Sequence, residues 1–456
     1  MKSLRVLFLL LAFTLTATAQ DFTAIDKAAT EVLAKSGAPS ASVAIVRDGK
    51  IVYEHAYGSA RLDPRLAATP QMRYSIGSIS KQFTATALLM LAEEGPLSID
   101  DKVGKWLPDL TRANDVTIRQ LLSMTSGYQD FWPQDYVMPM MLQPVTAQEI
   151  LNGWAKKPLD FEPGTKWQYS NTNYVIAGLI AEKASGMPLI DFLRKRVFDP
   201  LHMTSVYDTD RAALTAAEPE RYLRYALGPL RVAPKEGRGW MFAAGELAMT
   251  AHDLALWDIS VIDQSLMKPA SYRALETEQL ANGIGARYGL GVSLALSGGR
   301  RLVSHGGEVS GFTANNQIYP DDRTAVVVFT NIDASSASEQ IATRVATALF
   351  TTTDSATKQA TEQAKQIFAR LQHGKIDRAL FTSNANAYFS DQALQDFASS
   401  LGPLGTPADF SELRHSLRGG MTLRVFNIKF PKETLRLTTF TMPDGKLEQY
   451  QIAAVD

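Results

Sequence analysis

The chain has 456 residues, which is enough for two or three domains with ample hydrophobic cores. Its 46 lysines and arginines balance 47 aspartates and glutamates, and the net charge of −1 does not indicate a nucleic-acid-binding protein. The absence of cysteine excludes disulfide bonds, a lipid-modified cysteine and thiolate metal sites.

The first residues have the pattern of a secretory signal peptide. Lys2 and Arg5 are basic, residues 6–15 are apolar, and Ala17-Thr18-Ala19 is typical of a cleavage site. We therefore expect a signal peptide over residues 1–19 and an exported protein, either periplasmic or secreted. The apolar run is too short to span a bilayer, and no run of about 18 apolar residues follows, so no membrane span is expected.

Two strands joined by a tight turn are predicted next. Residues 41–47 and 50–57 are strand-like, and Asp48-Gly49 between them is typical of a type I′ hairpin turn.

A serine and a lysine three positions apart follow the hairpin. Ser78-Ile79-Ser80-Lys81 precedes an apolar stretch, residues 82–91, that ends at Gly95-Pro96. Residues i and i+3 share one face of a helix, so Ser78 Oγ and Lys81 Nζ are expected within hydrogen-bonding reach. The helix dipole and burial both disfavour a charged lysine there, so a neutral amine that accepts the serine proton is predicted.

The same four-residue pattern occurs twice more, which makes the pattern alone a weak signal. Ser265-Leu266-Met267-Lys268 lies in a short segment closed by Pro269, and Ser355-Ala356-Thr357-Lys358 begins a polar helix. Only Ser78 begins a helix with the composition of a buried one, and it is therefore the predicted nucleophile.

Two later motifs have residue types that suit the same chemistry. Tyr169-Ser170-Asn171 precedes an apolar helix over residues 174–184, and a Tyr169 and Asn171 held in a loop can share a proton network with a Ser-Lys pair. His305-Gly306-Gly307 follows a predicted strand, residues 301–304, and its glycines let a substrate backbone lie against that strand. Each motif alone is more often a simple turn or bend.

Strands at both ends of the first 350 residues, with helices between them, define the expected fold. The late strands are residues 290–297, 301–304, 312–319 and 323–330, and a helix over residues 337–350 follows them. This order predicts an α/β (α+β) fold in which helices flank one antiparallel sheet and form an inserted helical subdomain.

A second unit is predicted after the first. We expect a serine hydrolase domain over residues 20–350, then a linker helix and a small α+β domain over residues 351–456. Its strands are residues 421–430, 434–442 and 447–453. This unit has no reactive constellation of its own, and a structural or interaction role ranks first.

The three motifs occur in the order Ser-x-x-Lys, Tyr-x-Asn, His-x-Gly, and in this order the chain resembles the serine β-lactamase and penicillin-recognising D,D-peptidase superfamily. The resemblance is strongest to the branch of class C β-lactamases, D-Ala-D-Ala carboxypeptidases, D-aminopeptidases and family VIII esterases. Flanking stretches such as Thr125-Ser126-Gly127 and Tyr288-Gly289-Leu290-Gly291 extend it over residues 22–350. It implies a β-lactamase/transpeptidase-like fold.

The resemblance also implies roles for the motif residues. Ser78 would attack a carbonyl and form an acyl-enzyme, Lys81 and Tyr169 would move its proton, and Asn171 would hold Lys81 and the substrate amide. The oxyanion hole would consist of the backbone amides of Ser78 and Glu308.

The third motif would bind substrate through His305, Gly306, Gly307 and Glu308. His305 stands where β-lactamases proper have lysine. With a reference pKa of about 6.5 it is largely neutral at pH 7, and its attraction for a substrate carboxylate should grow below about pH 6.5. Peptidase or esterase activity is therefore expected ahead of efficient β-lactam hydrolysis.

The predicted function is that of an exported serine hydrolase, in the first place a D-amino-acid peptidase or amidase, or a D,D-carboxypeptidase-like enzyme. An esterase of the same fold, a class C-like β-lactamase and a non-catalytic sensor of peptidoglycan fragments are the alternatives. The expected substrate is a small molecule or a peptide, with peptidoglycan as one source.

No cofactor, metal or nucleic-acid partner is expected. The six histidines show no helical i,i+4 pairing, and no serine lies in the Gly-x-Ser-x-Gly elbow of α/β-hydrolases. Aromatic residues near the motifs are core candidates, and one or two of them are candidates for the substrate pocket: Tyr128, Phe131, Trp132, Trp167, Tyr174, Trp240 and Phe312.

Overall fold

A computed structural model describes residues 22–455 of the chain, apart from residues 135, 213 and 354 and the side chains of residues 351–356. The predicted signal peptide, residues 1–19, lies outside the described residues. Within them, no helix has both the length and the apolar character needed to cross a bilayer.

The helices lie mainly between the first and the last strands of the large sheet and again near the end of the chain. They are α1 (Thr23–Ser36), α2 (Ser80–Glu94), α3 (Ile118–Leu122), α4 (Ala147–Ile150), α5 (Asn171–Ser185), α6 (Leu189–Leu193), α7 (Ala251–Asp263), α8 (Pro269–Leu275), α9 (Ala337–Thr353), α10 (Ser355–Leu371), α11 (Ser383–Tyr388) and α12 (Asp391–Leu401).

The strands fall into a large sheet, a smaller C-terminal sheet and several short pairs. They are β1 (Ser40–Arg47), β2 (Lys50–Leu62), β3 (Arg65–Ala67), β4 (Tyr74–Ser75), β5 (Tyr207–Asp208), β6 (Tyr222–Arg224), β7 (Leu230–Val232), β8 (Leu247–Met249), β9 (Leu280–Ala281), β10 (Ile284–Gly285), β11 (Ser293–Ser297), β12 (Arg300–Val309), β13 (Phe312–Tyr319), β14 (Thr324–Thr330), β15 (Asp409–Arg418), β16 (Met421–Lys429), β17 (Thr434–Thr441) and β18 (Leu447–Ala454).

The large sheet is antiparallel and combines strands from both ends of the predicted hydrolase domain. Its strand order is β11-β12-β13-β14-β1-β2-β3, so β14 pairs with β1, with Val43 opposite Val328. Asp48 and Gly49, with φ of 53° and 72°, form the predicted tight turn between β1 and β2. The expectation of one antiparallel sheet assembled from distant segments is therefore correct.

Both faces of this sheet are covered, which explains why residues 43–46 of β1 and 325–329 of β14 are apolar without alternation. Val43 and Ile45 of β1 pack with α1 and α9 on one face. Ala44 and Val46 point to the other face, into the larger cluster that includes α2, α5 and α7. Helix α2 is buried from Ser80 to Leu91, so the face that carries Lys81 lies inside the molecule.

The C-terminal part has a four-stranded antiparallel sheet, β15-β16-β17-β18, with its own hydrophobic core. Phe368 of α10, Phe426 and Leu437 of the sheet and Tyr450 of β18 belong to this core. The division between residues 350 and 351 stays a prediction, and α9 continues past it to Thr353.

Strand β15 and helices α11 and α12 were not predicted from the sequence. β15 has an irregular pairing between Glu412 and Arg414, which breaks the alternation of polar and apolar residues. It is also an edge strand with mostly exposed or half-buried side chains, so its sequence lacks a clear apolar face.

Candidate active site

Ser78 lies in a single 3₁₀ turn, Gly77–Ile79, that leads directly into α2. Ser78 is thus just before the α-helix rather than in it, but the i, i+3 spacing still brings the two side chains together. Lys81 Nζ lies 2.8 Å from Ser78 Oγ, 2.8 Å from Asn171 Oδ1 and 2.8 Å from the carbonyl oxygen of Ala244.

These three partners define what Lys81 does when it loses a proton. As an ammonium group, Lys81 donates one hydrogen to each partner. As a neutral amine it keeps two N–H groups, which fit Asn171 Oδ1 and the Ala244 carbonyl because neither atom can donate. The lone pair is then directed at Ser78 Oγ, which can supply its hydroxyl proton.

The pKa of Lys81 is lowered, as a base that is neutral at neutral pH requires. Its side chain is fully buried, and burial lowers its pKa to about 7, whereas the nearby negative charge of Asp130 opposes this change. A substantial fraction of Lys81 is therefore neutral at neutral pH, in agreement with the expectation from the sequence.

Tyr169 and Asn171 reach the same point from the start of α5. The helix begins at Asn171, three residues earlier than predicted, so Asn171 is its first residue and only Tyr169 lies in the preceding loop. Tyr169 and Ser78 line the same cavity, and the Tyr169 ring centroid is 5.0 Å from Lys81 Nζ. Burial raises the pKa of Tyr169, so its phenol is protonated at neutral pH.

Strand β12 runs along the other side of Ser78. It continues through the His-Gly-Gly motif to Val309, beyond the predicted end at residue 304, and His305 is opposite Asn316 of β13. A Cβ atom on Gly307 would lie 1.8 Å from the Ile76 carbonyl oxygen. One on Gly77 would lie 2.6 Å from Glu308 N, so both positions require glycine.

The two glycines of the motif therefore have different surroundings. Gly307 lets β12 approach the turn that carries Ser78, which places the Ser78 and Glu308 backbone amides at neighbouring positions. Gly306 is exposed in the cleft, and a Cβ atom there would have its nearest neighbour at 3.9 Å. That both glycines make room for substrate stays a prediction for Gly306, whereas Gly307 makes room for the turn.

His305 has a different state from the one expected. It is buried, its Nε2 is 2.9 Å from the Tyr288 hydroxyl, and its Nδ1 is 2.5 Å from the Gly306 carbonyl oxygen. Burial, together with the charge of Lys81, lowers its pKa to about 4. The predicted gain of charge below about pH 6.5 is thus corrected: His305 is a neutral donor to Gly306 and acceptor from Tyr288.

Ser78 faces a cavity of about 620 Å³. Ser78, Tyr169, Asn171 and residues 305–310 form its reactive side. Trp132, one of the aromatic candidates, lines the cavity, whereas the other six do not. Among the described lining residues the charged side chains are Asp130, Glu308, Asp333 and Glu339, with no lysine or arginine.

Asp130 is a site residue that the sequence analysis missed. Its Oδ1 accepts hydrogen bonds from the Asn171 backbone N at 2.9 Å and from Asn171 Nδ2 at 3.2 Å, and it lines the cleft. Its position three residues after Thr125-Ser126-Gly127 was the available signal. A single acidic residue in a loop, however, does not by itself indicate an active site.

The two other Ser-x-x-Lys copies lie elsewhere. Ser265 and Lys268 are exposed beside the start of α8, and Lys358 is exposed on α10. Ser265, Lys268 and Lys358 do not line the cavity that contains Ser78.

A group of three carboxylates, which the sequence did not indicate, lies in a second cavity. Ligand atoms of Asp208, Asp210 and Glu246 are within 4.8 Å of one another. Asp208 Oδ1 accepts the Asp210 backbone N–H at 2.7 Å, and burial raises the pKa of all three carboxyl groups. This group has no assigned role.

Residues 25–349 match the model of the β-lactamase family. The chain belongs to the β-lactamase family. A D-aminopeptidase of Brucella anthropi is 30% identical to it over 308 residues, a match that covers 66% of this chain and 57% of that relative. The chain thus spans little more than half the length of this relative.

Solved structures extend the comparison of this β-lactamase family member. A D-stereospecific amidohydrolase from Streptomyces sp. has 27% identity and a TM-score of 0.62, and the match covers 71% of this chain and 97% of that chain. The octameric penicillin-binding protein homologue from Pyrococcus abyssi has 22% identity and a TM-score of 0.65, over 96% of this chain and 97% of that chain.

These likenesses confirm the expected β-lactamase/transpeptidase-like fold, and the second one extends beyond residue 349 into the C-terminal α+β part. They also confirm the predicted family, and the names of these relatives, a D-aminopeptidase and a D-stereospecific amidohydrolase, agree with the predicted enzyme class.

Proposed function

We propose that the chain is an exported serine hydrolase that cleaves amides and peptides of D-amino acids through an acyl-enzyme on Ser78. The observation that supports it most strongly is the buried Lys81, whose lone pair, in the neutral state, faces Ser78 Oγ at 2.8 Å. The names of a D-aminopeptidase relative and a D-stereospecific amidohydrolase neighbour support the substrate class.

In the proposed reaction, Ser78 Oγ forms a bond to the substrate carbonyl carbon while its proton moves to Lys81. The resulting oxyanion accepts hydrogen bonds from the backbone amides of Ser78 and Glu308. The C–N bond then breaks, and the proton passes from Lys81 through Tyr169 to the leaving nitrogen. Water later attacks the ester, with the same groups accepting and returning its proton.

The remaining motif residues act on the substrate rather than on the proton. Asn171 holds Lys81 and contacts the substrate amide, and Gly306 leaves room for the substrate backbone beside β12. His305 completes that wall of the cleft in its neutral form, and Gly307 keeps the Glu308 amide next to Ser78.

The charges of the cleft favour one class of substrate over another. Its described lining has four carboxylates and no lysine or arginine, and both ring nitrogens of His305 are engaged. A substrate carboxylate would meet negative charge, whereas an amine would not. A D-amino-acid amidase or aminopeptidase therefore ranks ahead of a D,D-carboxypeptidase or a class C-like β-lactamase.

The reaction is tested by intact-protein mass spectrometry with a labelled penicillin, a p-nitrophenyl ester and D-phenylalanine amide. The wild-type protein should gain the mass of an acyl group and hydrolyse the amide, whereas Ser78→Ala should do neither. Ser265→Ala is the matched control, because its serine has the same spacing to a lysine on the surface, and it should behave as wild type.

Three outcomes would redirect the proposal. Turnover of esters but not of amides would indicate the esterase alternative, and rapid penicillin hydrolysis would indicate the β-lactamase alternative. Binding of peptidoglycan fragments without any acyl adduct would indicate a sensor. Labelling that survives in Ser78→Ala would rule out Ser78 as the nucleophile.

A further inference from the structure

Asp130 lies on the opposite side of Asn171 from Lys81. The Asp130 carboxylate accepts from Asn171 backbone N at 2.9 Å, and from Asn171 Nδ2 at 3.2 Å to Oδ1 and 3.3 Å to Oδ2. It also accepts from Trp132 N at 3.2 Å, which fixes the carboxylate to its own loop. The Asn171 side chain is therefore held from one side by an anchored acceptor.

This contact decides which way the Asn171 amide faces. With its nitrogen on the carboxylate, the amide presents its oxygen to Lys81 Nζ at 2.8 Å. The reverse orientation would place an NH₂ group against the N–H groups of Lys81 and an oxygen against the carboxylate. Both contacts would be repulsive, so Asp130 selects the orientation that Lys81 needs.

Asp130 also acts on Lys81 through its charge. The negative charge favours the ammonium form of Lys81 and disfavours ionisation of Tyr169. The other titratable side chains near Lys81 are Tyr174, with its ring centroid at 5.5 Å, and His305, which is neutral. Among these neighbours, Asp130 supplies the negative charge.

We propose that Asp130 is a positioning residue that acts through Asn171: it orients the Asn171 amide so that Lys81 Nζ stays on Ser78 Oγ. Its charge in addition raises the pH at which Lys81 becomes the neutral base, against the larger effect of burial. This inference deepens the proposed function and rests on it, because it concerns the base of that reaction.

Two substitutions separate the effect of Asp130 on the orientation of Asn171 from the effect of its negative charge. Asp130→Asn retains an oxygen for the N–H groups of Asn171 and Trp132 but removes the charge, and Asp130→Ala removes both. Asp160→Asn is the matched control, because Asp160 is an exposed carboxylate that accepts from Gln168 Nε2 at 2.7 Å on the same side of the molecule.

The first measurement is the titration of Lys81 by NMR in protein labelled with [ε-¹³C]lysine, with the signal assigned by its loss in Lys81→Arg. The Lys81 midpoint should move to lower pH in Asp130→Asn, by about one unit as is typical for loss of a neighbouring charge. It should not move in Asp160→Asn. This titration requires no turnover, so it tests the inference even if the proposed reaction is wrong.

The second measurement is hydrolysis of a p-nitrophenyl ester. Asp130→Ala should lower kcat about 10- to 100-fold with little change in KM, since misplacing a reacting group has effects of that size. Asp130→Asn should lose less of its kcat than Asp130→Ala at its own optimum pH, and its pH profile should shift to lower pH.

An unchanged Lys81 midpoint in Asp130→Asn would overturn the inference, as would an Asp130→Ala enzyme with wild-type kcat. If the alanine variant does not fold, the asparagine variant decides through its titration. Failure of the proposed function has a different signature, namely a wild-type protein that is never acylated at Ser78.

Discussion

At the scale of single residues, the state of Lys81 predicts how the reaction depends on pH. Burial lowers its pKa to about 7, so Lys81 is mostly charged below that pH and mostly neutral above it. Only the neutral form accepts the Ser78 proton, and the acylation rate constant at pH 6 should be about a tenth of its plateau.

This prediction is checked with kcat/KM for a neutral p-nitrophenyl ester between pH 5.5 and 9. Lys81→Ala should remove the sigmoid rise along with most of the activity. A flat profile in the wild-type enzyme, or one that falls as the pH rises through 7, would contradict a role of Lys81 as the base.

His305 predicts a selectivity that does not depend on pH. Its pKa of about 4 keeps the ring neutral from pH 5 to 8.5, so kcat/KM for carboxylate-bearing substrates relative to neutral ones should be constant over that range. The His305→Lys substitution adds a positive charge and should raise this ratio about tenfold.

His305→Gln is the neutral control for that substitution, and it should leave the ratio unchanged. If the wild-type ratio rose steeply below pH 6.5, His305 would be protonated there and its burial would not control its charge.

The residue scale also separates what the sequence can and cannot predict about the site. Ser78 and Lys81 are three positions apart, so helical geometry alone predicts their contact. Asp130 and Asn171 meet only because the loop after α3 folds against the start of α5. No local pattern encodes that contact, and Asp130 was therefore missed.

At the scale of elements, the close approach of β12 to the turn before α2 depends on Gly307. A Cβ atom at Gly307 would overlap the Ile76 carbonyl oxygen, at 1.8 Å, so Gly307→Ala must push the strand and the turn apart. We expect a loss of about 1–3 kcal/mol in the free energy of unfolding. The acylation rate should fall about 100-fold, because the Glu308 amide moves away from the oxyanion.

Gly306→Ala is the matched control for stability, since a Cβ atom there has its nearest neighbour at 3.9 Å. Thermal unfolding and ester hydrolysis of both variants are the measurements. Equal melting temperatures for the two variants would show that the approach of β12 is not limited by Gly307.

Element prediction succeeded where the periodicity of the chain is simple. The apolar runs of β1 and β14 and the turn at Asp48-Gly49 predict their elements closely, because residues 43–46 and 325–329 are continuous apolar runs buried on both faces of the sheet. The start of α5 was placed too late, since Asn171 is polar yet already helical. β15 was missed because its bulge and exposed edge remove the alternation.

At the scale of the whole molecule, a buried polar network connects two helices and a strand that are distant in sequence. Asp258 of α7 accepts from Asn316 Nδ2 of β13 at 2.8 Å, and Asn316 Oδ1 accepts from Gln82 Nε2 of α2 at 3.1 Å. Gln82 Oε1 in turn accepts from Trp257 Nε1 at 3.0 Å. Asp258 is fully buried, and burial raises its pKa well above the ordinary value.

The raised pKa of Asp258 predicts that stability decreases as the pH rises. The folded state favours the protonated form, so this contribution is complete below the ordinary carboxyl pKa and is lost as the pH rises through the folded one. The asparagine of Asp258→Asn cannot ionise. Between pH 5 and pH 9 the melting temperature of this variant should therefore fall a few degrees less than that of the wild-type protein.

Calorimetry of both proteins across that range tests the prediction, with the exposed Asp160→Asn as a control that should keep the wild-type slope. Equal slopes for wild type and Asp258→Asn would mean that Asp258 is ionised in the folded protein at all of these pH values.

The position of β1 between β2 and β14 also determines when the large sheet can be completed during synthesis. β14 leaves the ribosome about 280 residues after β1, which takes tens of seconds at about 5–20 residues per second. Throughout that interval β1 has an unpaired edge and two apolar faces, a template for association with other chains. We therefore expect the nascent chain to depend on shielding until residues 324–330 emerge, and a chain truncated before them to aggregate rather than to fold.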